Sequence, residues 1–343
     1  MISDSSLGQL AGDVELASRR VQRFAPSTPI LKLPMLNSLI HGQVFLKAEC
    51  LQATGSFKIR GALNVMSRLR EQQRTDHVVA FSSGNHGIGV AYAGRCLGIK
   101  ATVVVPHDAP PAKVSRIREL GAEIVFYDRY QESREALALD LQQSLSCALV
   151  KPYDDWHTIA GQGTCALEAL EQVGRDFDSA IICTGGGGLS AGMGTYLRSK
   201  RDSTQIYTAE PHGWDDHRIS LLAGSRAEAP ADGSDWCDGL LAPIPGELTF
   251  AINQANSATG LSAYDDAIFD AMKLVRDGLG ICLEPSGAVA VASLLSHPET
   301  FWGQRVLVTL TGSNVDSDRF ATAMRLARQT TQPHNQCDEN HAD

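Results

Sequence analysis

The sequence predicts an α/β fold of open, twisted, mostly parallel sheets with helices on both faces. Three observations predict it. Short runs rich in β-branched residues alternate with helical patterns along most of the chain. Two of these runs pass through a glycine-bearing turn straight into a helix, the order that builds parallel sheets. The chain has 343 residues, and at roughly 150 residues per domain that leaves room for about two domains.

The elements follow in order. Residues 78–82 (VVAFS) read as a buried strand and 84–97 as a helix. Residues 101–105 (ATVVV) are the next strand, followed by a helical stretch at 113–120. A third strand at 123–127 leads to a helix over 131–146. Beyond Trp156 a helix spans 158–172, and a strand at 179–183 (SAIIC) runs into four glycines. Strands at 205–209 and 305–310 (RVLVTL) and helices at 265–278 and 286–295 complete the pattern, with one last helix after Asp316. Residues 226–236 are rich in Ala, Asp and Gly and read as a loop. No internal repeat is present, and residues 329–343 are polar and aperiodic, which predicts a mobile tail.

Composition excludes several classes. Apolar residues make up 43% and charged residues 20%, as in a globular protein rather than a disordered or collagen-like chain. Thirty basic against 39 acidic side chains give a net charge of −9, which repels phosphate backbones and excludes nucleic acid as a partner. No run approaches the ~20 apolar residues of a membrane helix, and the N-terminus shows no secretory pattern. A cytoplasmic protein without a membrane partner is expected. Cys50, Cys96, Cys147, Cys165, Cys183, Cys237, Cys282 and Cys337 form no CxxC pair and no zinc spacing. They read as free thiols in a reducing compartment.

Four motifs carry chemistry. In T-G-S-F-K-I-R-G-A (54–62), Lys58 lies between Phe57 and Ile59 at a helix start. Partial desolvation there would lower its pKa and favour Schiff-base chemistry. Taken alone it reads equally as a solvated helix lysine. In S-S-G-N-H-G (82–87), a turn after a strand opens a helix. Backbone N–H groups and short polar side chains there suit a carboxylate, although an ordinary N-cap turn has the same look. Thr184 precedes Gly185–Gly188 and Leu189, where backbone alone can wrap a phosphate at a helix N-terminus. That run has neither the GK[ST] of a Walker loop nor a G-x-G-x-x-G frame. The fourth motif, T-G-S-N-V-D (311–316), ends the strand at 305–310. Ligands of open α/β sheets bind at the carboxyl ends of strands, where three of these motifs converge. A phosphate site, a carboxylate site and a lysine together point to a phosphorylated aldehyde that condenses with an amino acid.

SFKIRGA, SSGNHG, the tetraglycine run and TGSNVD, in this order, resemble fold-type II pyridoxal-phosphate enzymes of the tryptophan synthase β-like fold. The nearest group is that of serine/threonine dehydratases and serine racemases, and the likeness spans about residues 25–320. It implies pyridoxal 5′-phosphate as cofactor, a small amino acid as substrate and a homodimer. Lys58 resembles the Schiff-base lysine and the base at Cα, with Phe57 packed near the cofactor. Asn85 resembles the partner of the cofactor's phenolic oxygen. Ser82, Ser83, Asn85 and His86 look like the substrate-carboxylate loop, and Ser83 matches the serine that exchanges a proton on the opposite face. Gly185, Gly186, Gly187, Gly188 and Leu189 look like the phosphate cup, and Thr311 falls where a hydroxyl meets the pyridine nitrogen. A neutral hydroxyl there gives a weaker electron sink, which favours prompt loss of a β-hydroxyl over transamination.

The same resemblance implies a larger discontinuous domain over 1–76 and 154–328 and a smaller one over 77–153. The segment T-A-E-P-H-G-W-D-D (208–216) resembles a cation site in part of the group. It implies Glu210, the Trp214 carbonyl and Asp216 as ligands of Mg²⁺ or Ca²⁺. From the residues alone it also reads as an acidic helix start. Arg134 matches an arginine that reaches a second carboxylate in some relatives, favouring 3-hydroxyaspartate, but it also reads as a surface arginine paired with a neighbouring acid. Leu240-Leu241-Ala242-Pro243 replaces the hydroxyl residues usual in racemases, and Thr311 replaces a serine. An extra regulatory domain is not expected.

The expected activity is elimination of the β-hydroxyl from L-threonine, L-serine or a 3-hydroxy derivative, giving a 2-oxo acid and ammonia. The alternatives are a serine racemase-like enzyme and a dehydratase of a larger or dicarboxylic substrate such as phenylserine, 3-hydroxyaspartate or a hydroxyectoine-pathway compound. A cysteine-synthase-type enzyme would carry different lysine and asparagine segments, and a ligand sensor on this fold would lose Lys58. A dinucleotide enzyme would need a glycine frame leading to Asp202.

Overall fold

The computed structural model describes residues 2–73, 75–82 and 84–328. The expected tail, 329–343, lies outside the described residues. Ten strands form two sheets among the described residues. They are β1 (Ile30–Leu31), β2 (Gln43–Lys47), β3 (His77–Phe81), β4 (Lys100–Pro106), β5 (Glu123–Tyr127), β6 (Ala148–Leu149), β7 (Ser179–Cys183), β8 (Gln205–Pro211), β9 (Thr259–Ala263) and β10 (Arg305–Thr309). The larger sheet has the order β1-β2-β10-β7-β8-β9 and the smaller β5-β4-β3-β6. Every pair is parallel except β1–β2, where Ile30 faces Lys47 in antiparallel register.

Parallel neighbours need long crossovers, and helices provide them. Helix Asn85–Leu97 joins β3 to β4, Pro111–Glu119 joins β4 to β5, and Gly188–Lys200 joins β7 to β8. The two-residue period of a strand then feeds a core on each face. In β10, Val306 and Val308 enter a cluster with Val289 and Phe301. Leu307 points the other way, into a cluster with Val14, Ile159 and Met193. In β3, Val78 and Ala80 join Leu63, Met66 and Ile88, while Val79 and Phe81 join Tyr127 and Ala138. Each such buried aliphatic side chain contributes about 1.5–3 kcal/mol. Surface ion pairs such as Arg198–Asp202 contribute about 0–1 kcal/mol, so burial decides the architecture.

Helix Lys58–Glu71 sits where the sheets meet. Its Ile59, Leu63 and Met66 pack into the smaller sheet's core. Arg60, fully buried, bonds Glu49 and Glu168 instead, at 2.7–2.8 Å.

The sequence reading assigned no strand at β1, β2, β6 or β9. β1 and β6 have two residues each, too short for any period. β9 (TGLSA) has little strand propensity and forms because β8 pairs with it along its whole length. Helices Asp4–Val21 and Glu247–Ala255 were also unassigned. The helix expected over 131–146 begins at Arg134, because Ser133 caps it by accepting from the Ala136 N–H at 3.2 Å.

Candidate active site

Lys58 is the first residue of its helix, and the chain before it is fastened to the end of β10. The Phe57 N–H donates to the Thr311 carbonyl at 3.2 Å and the Ser313 N–H to the Gly55 carbonyl at 2.9 Å. Asn314 Nδ2 donates to the Thr54 carbonyl at 2.9 Å. The lysine Nζ donates to the Pro152 carbonyl at 2.9 Å and lies 5.2 Å from the Phe57 ring centroid. Desolvation pushes its pKa down to about 8. The neutral, nucleophilic amine is therefore accessible near neutral pH.

Ser82 directly follows β3, and its Oγ accepts from the Gly84 N–H at 3.1 Å. Asn85 opens the next helix. Its Nδ2 donates to Glu284 Oε1 at 2.7 Å, and its Oδ1 accepts from Asn314 Nδ2 at 2.6 Å. Burial, then the charge of Asp238, raises the Glu284 carboxyl to about 7. His86 is buried, and its Nε2 donates to the Val150 carbonyl at 2.9 Å. Burial, aided by the Lys58 charge, holds its pKa down to about 3, so the ring is neutral. With the ring so engaged, what His86 offers a ligand is its backbone N–H in the first helical turn. Ser83 lies outside the described residues.

The glycine run ends β7 and opens helix Gly188–Lys200, with Leu189 buried in its first turn. Gly187 caps that helix at φ +91°, a conformation that favours glycine. A Cβ on Gly186 would stand 2.4 Å from the Tyr153 ring, so only backbone fits beneath that aromatic side chain. Thr249 Oγ1 donates to the Gly186 carbonyl at 2.6 Å. Small, close-wrapped backbone ahead of a helix N-terminus fits a phosphate group. A desolvated lysine fits an aldehyde. Thr311, also buried, has its Oγ1 3.5 Å from the Ser286 carbonyl.

These groups form one connected set. Thr311 is tied to Phe57, Asn85 to Asn314, Asn314 to Thr54, and Lys58 to the residue preceding the Tyr153 that covers the glycines. Arg134 lies at the rim. It bonds Glu135 at 2.7 Å, and its guanidinium stands 5.6 Å from the ring centroid of Phe81, the residue before Ser82.

Glu210 and Asp216 come together away from this set. Both are buried. Glu210 accepts from the backbone N–H groups of His217 and Arg218 at 2.9 and 2.8 Å. Neither Asp216 oxygen has a hydrogen-bond partner. Burial, then Asp216, pushes Glu210 well up, and burial raises Asp216 to about 7. Orphaned, electrostatically strained carboxylate oxygens fit a hard cation. Trp214 stands two residues before Asp216, its indole N–H on the Ser234 carbonyl at 3.0 Å. Among the described residues no three His, Cys, Asp or Glu side chains gather as a metal cluster. Any ion here would need backbone oxygen and water as well.

Sequence reasoning missed Glu284, Tyr153 and the bridging role of Asn314. Glu284 stands before Pro285 at a helix start, a pattern that signals a boundary rather than a site. Tyr153 carries no local signal. The cysteine expectation holds among the described residues, where Cys50, Cys96, Cys147, Cys165, Cys183, Cys237 and Cys282 are free. No helix of the described residues is long and apolar enough to cross a membrane.

Comparison with known proteins agrees with this geometry. An L-threo-3-hydroxyaspartate ammonia-lyase of Pseudomonas sp is 39% identical over 315 residues, 91% of this chain and 98% of that protein. A serine racemase of Schizosaccharomyces pombe is 35% identical over 320 residues, covering 93% of this chain and 98% of that one. The processed form of threonine deaminase isoform 2 from Solanum lycopersicum superposes with a TM-score of 0.88 at 31% identity, covering 95% and 94% of the two chains. Residues 21–312 match the family described as "Pyridoxal-phosphate dependent enzyme", and the chain belongs to that family.

Proposed function

We propose that this protein is an ammonia-lyase that removes the β-hydroxyl of L-threo-3-hydroxyaspartate, giving a 2-oxo acid and ammonia. The observation that carries the reading is the connected set of Lys58, Asn85 and Thr311 around the glycine run. Bound pyridoxal phosphate supplies the aldehyde and the electron sink. Gly185–Gly188 and Leu189 hold its phosphate, Asn85 its phenolic oxygen and Thr311 its ring nitrogen, with Phe57 beside it. Lys58 anchors the cofactor and takes the Cα proton, a task suited to an amine whose pKa burial has lowered to about 8. Ser82, Ser83, the Asn85 side chain and the His86 backbone N–H bind the α-carboxylate.

Arg134 selects the substrate. Its guanidinium, above the Phe81 ring and next to the Ser82 turn, is suited to a second carboxylate. The similar ammonia-lyase of Pseudomonas sp bears the name of such a dicarboxylic substrate. Glu210, Asp216 and the Trp214 carbonyl hold a divalent cation outside the reacting centre. The smaller domain, 77–153, closes on the larger one to exclude water. The protein works as a cytoplasmic homodimer. The test is ammonia release from L-threo-3-hydroxyaspartate, L-threonine and L-serine side by side. A clear preference for the dicarboxylic substrate supports the reading, and equal or better turnover of L-threonine overturns the assignment of Arg134.

A further inference from the structure

His217 is fully buried directly behind the glycine run, and the reaction as described above does not use it. Where a Cβ on Gly187 would stand, the imidazole already does: His217 Nε2 lies 2.4 Å and Cε1 2.6 Å from that point. Neither ring nitrogen has a hydrogen-bond partner. Burial pushes its pKa down to about 4, with the Gly186 backbone working in the other direction. A neutral imidazole still carries one N–H to donate, and a buried donor without an acceptor is costly.

The nearest unused acceptor capacity is at Gly186. Its carbonyl has two lone pairs. The Thr249 hydroxyl takes one, at 2.6 Å. Thr249 Cβ also lies 2.9 Å from the position a Gly187 Cβ would take, so the threonine and the histidine flank the same peptide. The direction of that peptide decides where the amide N–H groups of the cup point. His217 is held in place by its own backbone N–H, which donates to Glu210 Oε1 at 2.9 Å. The acid pair and the cup are thereby joined through one residue.

We propose that His217 is a positioning residue of the phosphate cup: its ring N–H and the Thr249 hydroxyl together hold the Gly186 carbonyl and turn the N–H groups of Gly187 and Gly188 onto a bound phosphate. The proposal rests on the cofactor reading above. It is specific to the phosphate, because the rest of the cofactor is held by other residues.

The test compares dissociation constants of pyridoxal phosphate and of pyridoxal, which lacks the phosphate, for the apoprotein by quenching of tryptophan fluorescence. Three variants are used. His217→Leu keeps bulk and loses the donor, His217→Gln keeps a donor, and Thr249→Val removes the second holder of the same carbonyl. His217→Leu and Thr249→Val are each expected to weaken pyridoxal phosphate by about tenfold and pyridoxal by less than about twofold. His217→Gln is expected to recover wild-type binding to within about threefold. The ³¹P resonance of the bound phosphate should shift in His217→Leu and return in His217→Gln. Equal weakening of both compounds, or wild-type affinity in His217→Leu, overturns the proposal. Wild-type protein that binds neither compound overturns the cofactor reading itself, and the proposal with it.

Discussion

Asn85 and Glu284, 199 positions apart in the chain, meet through a 2.7 Å hydrogen bond from the asparagine Nδ2 to the glutamate Oε1. The bond joins the turn after β3 to the helix that begins at Pro285. It explains why a buried carboxyl is kept so close to the site: it orients the amide that faces the cofactor.

Glu284 gives stability a pH dependence of known sign. Burial raises its pKa from 4.5 to about 7 on folding. The folded state thus holds the proton more tightly, and this stabilising contribution is full below about pH 4.5 and lost as pH rises to 7. Glu284→Gln stays neutral throughout. Urea unfolding of the apoprotein should show the variant level with wild type at pH 5 and more stable at pH 8, by up to roughly 3 kcal/mol. The same difference at both pH values would contradict the buried, protonated carboxyl.

Arg134→Ala should act on one substrate and not on another. A charge-assisted hydrogen bond contributes about 1.5–3 kcal/mol. Its loss should lower kcat/KM for L-threo-3-hydroxyaspartate by about 10- to 100-fold and leave L-threonine within about threefold. Parallel loss on both substrates would make Arg134 a structural residue only.

Arg60 is a stability residue, although it stands two positions from Lys58. Its guanidinium bonds Glu49 and Glu168 in full burial, and those bonds and charges, with Lys47, hold the Glu168 carboxyl down to about 2 despite the opposing effect of its burial. Arg60→Ala leaves two carboxylates short of a cation and should cost about 3–5 kcal/mol in unfolding free energy. A loss below about 1 kcal/mol would mean that the network relaxes to water.

Mg²⁺ or Ca²⁺ should raise the melting temperature of the protein through Glu210 and Asp216. At a hundredfold excess over Kd the gain is about 2.7 kcal/mol, or roughly 5–10 °C. Asp216→Asn should abolish the shift. A shift that persists in the variant would place the ion elsewhere.

Much of this was legible in the sequence, for physical reasons that particular residues make plain. β3, β4, β7 and β10 are β-branched runs buried on both faces, and such runs announce themselves. Lys58, Asn85 and the glycines sit at turns whose backbone needs leave a mark in residue type. Glu284, Tyr153 and His217 are legible nowhere in their own neighbourhoods. Each acts through a partner distant in the chain, and only folding makes the pair. β9 was missed for the same reason, since its pairing with β8 overrides a weak local preference.

The most direct test of the central claim is the visible absorption of the purified protein and of Lys58→Ala, each loaded with pyridoxal phosphate and then given L-threo-3-hydroxyaspartate. Wild type should show the band of a lysine-bound cofactor, and that band should change as ammonia is released. Lys58→Ala should lack the band and lose ammonia release by at least about 10²–10⁴-fold. A band and near-normal ammonia release in Lys58→Ala would contradict the account at its centre.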